Sequence, residues 1–274
     1  PPDASGREAG PPRGRGGRSR GGRGGSRSGQ RIEVIPKFDK DKDGVLDKSE
    51  RSAAIKYVKE QRKNEGDDNR GQRGGRPPRP DGARGGRPPA RGDRGARPDP
   101  RGGSSRPAPV PRDFSKAERL EPGNEKDLGN KLYDEGTLRT LFINFKDDEW
   151  KEEMEVFYRT DVAVPADLIV NGKLYKDVGL KYRGNSSFRS VSPDLKRSMN
   201  LYIDHKHSDQ KLLGYKTLNL LNSNSDPTFM REVIYSHVAR NYIPAFKGNF
   251  IKVVINGESW GLYSHIQQYN KDFL

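Results

Sequence analysis

The chain has 274 residues, no cysteine, and 30% hydrophobic residues against 32 glycines and 20 prolines. That balance excludes a disulfide framework and a thiolate zinc site, and it excludes a chain that folds along its whole length. The net charge of +14 belongs to two stretches, for residues 1–30 carry seven Arg against two acids and residues 66–112 carry twelve Arg against five Asp, while residues 113–274 balance at 23 of each sign.

Residues 1–30 form a Gly/Arg/Ser tract, as in Gly14-Arg15-Gly16-Gly17-Arg18. Without apolar residues it builds no core and is expected to be disordered. Such a tail contacts polyanions, and a nucleic-acid-binding arm is one reading of it. With no Phe or Tyr interleaved to stack on bases, a solvated spacer is favoured. No apolar run approaches the roughly 18 residues of a membrane span. The chain begins at Pro1 without an initiator methionine, so a processed form or a fragment is expected, with no signal peptide visible.

The next segment, Phe38 to Glu50, places hard oxygen donors at the spacing that a calcium loop needs. Asp39, Asp41, Asp43, Asp47 and Glu50 fill the side-chain positions, and Val45 supplies the backbone carbonyl. Gly44 stands where the loop must turn sharply. Asp47 and Glu50 also form a cap-like pair that opens a helix to about Lys63, with Ile55 and Val58 on one face. The loop resembles an EF-hand, and the module is placed at residues 31–65. No second loop follows, so Ca2+ affinity in the range of about 0.1–1 mM seen in extracellular modules is expected. Residues 66–112, with Arg76-Pro77-Pro78-Arg79-Pro80, read as a semi-rigid Arg/Gly/Pro spacer.

From about Asp113 the composition turns globular. Leu138 to Phe145 alternates as a strand. Asp147 or Asp148 caps a helix with Trp150, Met154 and Phe157 on one stripe. Val164 to Val170 and Leu174 to Arg183 form a hairpin about Asn171-Gly172. A loop from Gly184 to Asp194 precedes strands at Lys196 to Asp204 and Lys216 to Asn222. Asp226-Pro227 is expected to cap a helix running to about Tyr242, with Met230, Ile234 and Val238 at i, i+4 and i+8. A second hairpin turns at Asn256-Gly257. Asn219 and Asn222 are read as satisfying local backbone, Asp226 as a cap, and His205 and His207 as lacking a third partner for a metal site.

Six phrases in this half carry a family pattern: Arg183-Gly184-Asn185-Ser186-Ser187, Lys196-Arg197-Ser198, Lys216 to Leu220, Asp226 to Glu232, Asn256 to Tyr263 and Lys271 to Leu274. Together they resemble the CotH family, the spore-coat-protein-H-like atypical protein kinases, over about Leu138 to Leu274. The resemblance implies an α+β fold with a protein-kinase-like small lobe, an antiparallel sheet plus one main helix. This would be carried with the helix-loop-helix calcium module and the long disordered segments, in a domain spanning residues 113–274. It implies a nucleotide site in which Gly184, Asn185, Ser186 and Ser187 meet phosphate, and Lys196 or Arg197 binds phosphate oxygens opposite Glu232. Alternation groups Arg197 with Met199, Leu201 and Ile203, and leaves open which of the two basic residues faces the nucleotide. Gln267 to Asn270 would lie beside the adenine.

ATP and Mg2+ are the implied cofactors beside Ca2+. The implied reaction moves the γ-phosphoryl group to Ser/Thr of coat or surface proteins of a bacterium, outside the cell. The family's base-like and metal-binding aspartates lie beyond the Lys271-to-Leu274 phrase. The chain is therefore expected to be an N-terminal portion, truncated at its end and inactive alone, with no catalytic residue of its own. Two other classes stay open, a non-catalytic calcium-binding surface protein with a kinase-like fold and a nucleic-acid binder acting through the tail. Oligomeric state is not legible.

Overall fold

The computed structural model describes residues 31–71, 117–123, 128–270 and 273, with α-helical side chains to residue 64. The Arg/Gly tail at 1–30 and residues 72–112 of the expected spacer lie outside the described residues, as do Lys271, Asp272 and Leu274. The elements run α1 (Ile35–Phe38), α2 (Lys48–Gly71), β1 (Arg139–Phe145), α3 (Trp150–Val156), β2 (Val164–Val170), β3 (Lys173–Tyr182), α4 (Ser186–Arg189), β4 (Met199–Tyr202), β5 (Thr217–Leu221), α5 (Arg231–Ala239), β6 (Gly248–Ile255) and β7 (Glu258–Gln267). Among the described residues, no helix is long and apolar enough to cross a membrane.

The seven strands close into a barrel in the order β1-β2-β3-β4-β5-β7-β6. This overturns the expected α+β small lobe of one open antiparallel sheet plus a main helix. The cause is β1, which pairs antiparallel with β2 through Ile143↔Leu168 and parallel with β6 through Leu141↔Val253. With both flanks of β1 occupied, no sheet edge remains, and the sheet is mixed. Alternation identifies strands one at a time; a parallel partner more than a hundred residues away leaves no local mark.

Period-2 alternation fills the interior. Leu141, Ile143, Leu168, Val178, Leu180, Leu201, Leu218, Leu220, Val253 and Tyr263 are fully buried in one core cluster. Each such side chain contributes about 1.5–3 kcal/mol relative to its exposed state. Two Asn-Gly turns join β2 to β3 and β6 to β7, with φ of 50° and 69° at Asn171 and Gly172 and of 49° and 80° at Asn256 and Gly257. These positive angles are what that dipeptide supplies to a tight hairpin. Trp150 stacks on Phe145 at 4.4 Å between ring centroids and meets Trp260 edge-on at 5.8 Å.

Two helices start differently from expectation. Asp147 donates no side-chain cap to α3 and instead accepts from Arg51 and Lys48. Helix α5 begins at Arg231, not after Asp226-Pro227, because Asp226 spends its carboxylate on a turn: Oδ1 accepts from the Thr228 N–H, and Oδ2 from the Arg231 N–H at 2.8 Å. The buried side of α5 is Ser236 and Ala239, while Met230, Ile234 and Val238 are 47%, 48% and 48% exposed. Gly248 permits this seating. A Cβ there would lie 2.8 Å from both the Ser236 Oγ and the Ile266 Cδ1.

The segment 31–64 packs on the barrel, and Val34, Leu46, Ala54 and Val58 share the barrel's core cluster. The Asp161 carboxylate accepts from the Val34 and Ile35 N–H groups at 2.7 and 3.1 Å. Helix α2 continues to Gly71, past the boundary expected at residue 65.

Candidate functional site

Parts of two predicted sets come together at separate places, Asp39, Asp41 and Asp43 at one and Ser186, Ser187 and Glu232 at the other, whose lining does not include Gly184, Asn185, Lys196 or Arg197. The first is the loop between α1 and α2. Asp39, Asp41 and Asp43 each bring a carboxylate oxygen within 4.8 Å of the others. Backbone donors hold them there. Gly44 N–H donates to Asp39 Oδ2 at 3.0 Å, and Val45 N–H donates to Asp43 Oδ1 at 2.8 Å. The other oxygen of Asp39 is buried without a hydrogen-bond partner among the described residues. The Asp43 N–H draws the Asp41 carboxyl down, but desolvation and its neighbours Asp39, Asp43 and Glu50 hold it above the ordinary value. This donor set suits a hard cation that prefers oxygen ligands.

Asp47 and Glu50 are occupied differently. Glu50 N–H donates to Asp47 Oδ1 at 2.8 Å, and Asp47 N–H donates to Glu50 Oε2 at 3.0 Å. This is a reciprocal capping box at the start of α2. Glu50 Oε1 also accepts from the Lys40 N–H at 2.8 Å, which ties the two ends of the loop together. Val45 is buried beside Leu46.

The second place is a cleft of about 340 Å³ beneath the Gly184 loop. Its lining includes Ser186, Ser187, Ser198, Asn222, Asp226 and Glu232. The loop is fixed from below, since the Tyr158 hydroxyl donates to Gly184 O at 2.6 Å and Arg159 donates to Asn185 Oδ1 at 2.6 Å. Gly184 has φ +94°, and a Cβ on it would fall 2.1 Å from the Ser187 Oγ. Only glycine fits there.

Across the cleft, Ser198 Oγ donates to Asn222 Oδ1 at 3.0 Å, and Asn222 Nδ2 donates to Lys196 O at 2.9 Å. Partial burial pushes the Asp226 carboxyl up, but hydrogen bonds from Thr228 and the Arg231 N–H outweigh it and hold the group below the ordinary range. Asp226 is thus a fixed anion that organises the turn. The Glu232 carboxylate makes no hydrogen bond or ion pair among the described residues.

The two basic candidates part company. Arg197 is buried, on the side that alternation gave it, and donates to Glu155 Oε1 at 2.6 Å and to Val191 O. Its guanidinium lies 4.1 Å from the Phe188 ring centre. Lys196 lies between the rings of Phe229 and Tyr263, at 4.7 and 4.6 Å, and donates to Leu262 O at 2.5 Å. Arg197 is committed to the packing of α3 and the 185–191 loop, so Lys196 is the more accessible cation. Gln267 is buried, its Oε1 accepting from the Lys247 N–H at 3.1 Å.

Arg183 and Ser198 stand in the family phrases without an expected role at the site, and Asn222 was expected to satisfy local backbone only. Ser198 and Asn222 form their network only when β4 and β5 pair, through Met199↔Leu220 and Asn200↔Asn219, which the one-dimensional pattern does not display. The available signal was the recurrence of hydroxyl and amide residues in Ser198, Asn200, Asn219 and Asn222, within or beside two strands that are otherwise mostly apolar.

No curated protein matches the chain. The family model described as CotH kinase protein matches residues 180–274. That match begins in β3, takes in every residue lining the cleft, and leaves the calcium-type loop outside it. The stretch 180–274 is therefore similar to the CotH kinase family, in agreement with the resemblance its phrases carry.

Proposed function

We propose that this chain is part of a secreted or surface phosphotransferase. Its cleft receives the phosphates of ATP, and the γ-phosphoryl group passes to Ser or Thr of a coat or surface protein. The observation that carries this reading is a coincidence of place. Ser186, Ser187 and Glu232, drawn from two separate phrases of the family pattern, line one cleft inside the matched stretch. Phosphoryl transfer depends on positioning and neutralising phosphate oxygens more than on covalent chemistry by the protein. Serine hydroxyls, a rigid glycine turn and nearby cations provide the means. Mg2+ enters as the counter-charge of the nucleotide. Lys196, held between two aromatic faces, orients rather than reacts, and Glu232 keeps a carboxylate at the rim.

Ca2+ belongs to the loop of Asp39, Asp41 and Asp43, and it adds the countercharge that three adjacent carboxylates require. Glu50 completes such a set only by exchanging a backbone donor for the ion. Weak binding of the kind found in extracellular modules fits a location outside the cell.

The test is phosphate incorporation from labelled ATP by the full-length protein that contains this chain, with Lys196→Ala and Glu232→Gln as variants. Loss in both variants supports the reading. Wild-type incorporation in both, or none by the unaltered protein with any protein substrate and Mg2+, sinks it.

A further inference from the structure

The outer face of β3, β4 and β5 continues the cleft along the barrel wall. Ser198 and Leu221 line the cleft. Two residues along each strand, on the same face, stand Asn200 and Asn219, which pair directly. Arg183 joins them from just past the end of β3, its N–H donating to Ser198 O at 2.9 Å. Helix α5 borders the strip from the neighbouring β6 and β7, and Glu232 stands at its N-terminal end.

Three groups on this strip lack what protein interiors normally provide. Asn219 is 4% exposed, yet among the described residues its Oδ1 has no hydrogen-bond partner, and the Oδ1 of Asn200 is buried without one too. Asn222, next but two along the chain from Asn219, is fully engaged. Of the two asparagines expected to serve local backbone, Asn222 does so through the Asn224 N–H at 3.4 Å, and its other bonds reach Ser198 and Lys196. The half-buried guanidinium of Arg183 makes no hydrogen bond or ion pair among the described residues. Burial pushes its pKa down, and the Tyr202 hydroxyl and Glu232 carboxylate act on it in the opposite sense. Buried amide oxygens and a sheltered guanidinium without partners are each costly. Side by side on one face, they make a complementary set, two acceptors and one multiply donating cation.

We propose that Arg183, Asn200 and Asn219 form a ligand-binding face continuous with the cleft, whose ligand is a nucleoside phosphate. The guanidinium fork takes phosphate oxygens, which it matches in a bidentate way. The two amide oxygens accept from hydroxyl or amino groups on the nucleoside. This assignment rests on the phosphotransferase reading and deepens it. It names the residue that meets phosphate from the β3 side and the residues that meet the nucleoside.

The test is titration calorimetry on the whole chain with three probes, ADP with Mg2+, inorganic pyrophosphate, and adenosine, alongside thermal melts. Arg183→Met is expected to weaken ADP and pyrophosphate roughly ten- to hundredfold and to leave adenosine unchanged. Asn219→Ala is expected to weaken ADP and adenosine and to spare pyrophosphate. The ligand-free Tm of Arg183→Met should equal or exceed that of the parent, whereas a structural arginine would lower it on removal. Wild-type affinity for ADP and pyrophosphate in Arg183→Met overturns the assignment while leaving the phosphotransferase reading intact. Arg183-dependent pyrophosphate binding with no gain from the nucleoside upholds the arginine's role and overturns the ATP reading. A chain that binds none of the three overturns both.

Discussion

Arg51 and Glu153 form a buried ion pair, Nε to Oε2 at 2.9 Å, with side chains 5% and 7% exposed. Arg51 follows Glu50 of the acidic loop, and Glu153 lies on α3, three residues after Trp150. The same guanidinium donates to Asp147 Oδ2 at 2.8 Å and to Leu46 O at 3.1 Å. One side chain thus ties the loop, α2 and α3 together. Desolvation raises the Glu153 pKa, more than Arg51 lowers it. Removing the arginine alone leaves an unpaired carboxylate in the core. Arg51→Met is expected to cost roughly 3–5 kcal/mol in urea unfolding, and the double variant with Glu153→Met to recover most of that. Equal stability of the single and double variants would show that the pair is not the source.

The acidic loop shares a core with the barrel, so an ion bound to it stabilises the whole unit. At a Ca2+ concentration ten times its dissociation constant, the gain is about 1.4 kcal/mol. A rise in Tm in millimolar Ca2+, absent in Asp39→Ala, is expected. The chain's two tryptophans, Trp150 and Trp260, are the optical reporters. Their emission should change with Ca2+ in the parent and stay constant in Asp39→Ala.

Burial lowers the pKa of His205 to about 4 and that of His265 to about 3. Both are depressed, so the folded state holds them neutral while the unfolded chain takes up protons below about pH 6.5. Their contribution is therefore present above that pH and is lost as pH falls toward 4. Each histidine adds about 1.4 kcal/mol of lost stability per pH unit across that window. His265, whose Nε2 lies 3.1 Å from the Tyr133 hydroxyl, is the cleaner test. His265→Gln should flatten the pH dependence of urea stability by about one proton's worth, whatever it costs at pH 7.

Gly248 sits where α5 touches β6. Gly248→Ala forces the Ser236 hydroxyl and the Ile266 methyl to move, at a cost of roughly 1–3 kcal/mol. Because α5 carries Glu232, the substitution should also weaken nucleotide binding without touching a residue that lines the cleft. Alanine tolerated with unchanged stability and unchanged ADP affinity would show that α5 has slack against the sheet.

The local elements were largely legible. Strands β1, β2, β3, β6 and β7 follow from alternation and from two Asn-Gly turns, because side-chain period and turn chemistry are local properties. The capping box of Asp47 and Glu50 was legible for the same reason. Barrel closure was not, since it rests on the parallel β1–β6 ladder between distant segments. The stripe of Met230, Ile234 and Val238 misled about direction. Helical spacing marks an apolar face without saying what covers it, and here Ser236 and Ala239 face the sheet. Ser186, Ser187 and Glu232, which line the cleft, could be named from phrases; Arg183 and Asn219 lie in those phrases too, but only strand pairing puts them on one face. The contacts that commit Arg197, to Glu155 and Phe188, come from side chains that alternation does not display.

The ladder that joins Arg139–Phe145 to Gly248–Ile255 also sets a rule of timing. The first strand of the barrel cannot acquire its second partner until more than a hundred further residues are in place, and such distant contacts are entropically expensive to form early. During synthesis β1 and β2 can pair as soon as both emerge, but the exposed flank of β1 waits for β6. Folding should accordingly be slow and show a late step in which the ring shuts. Chains that stop before Ile255 should expose that flank to pairing with one another.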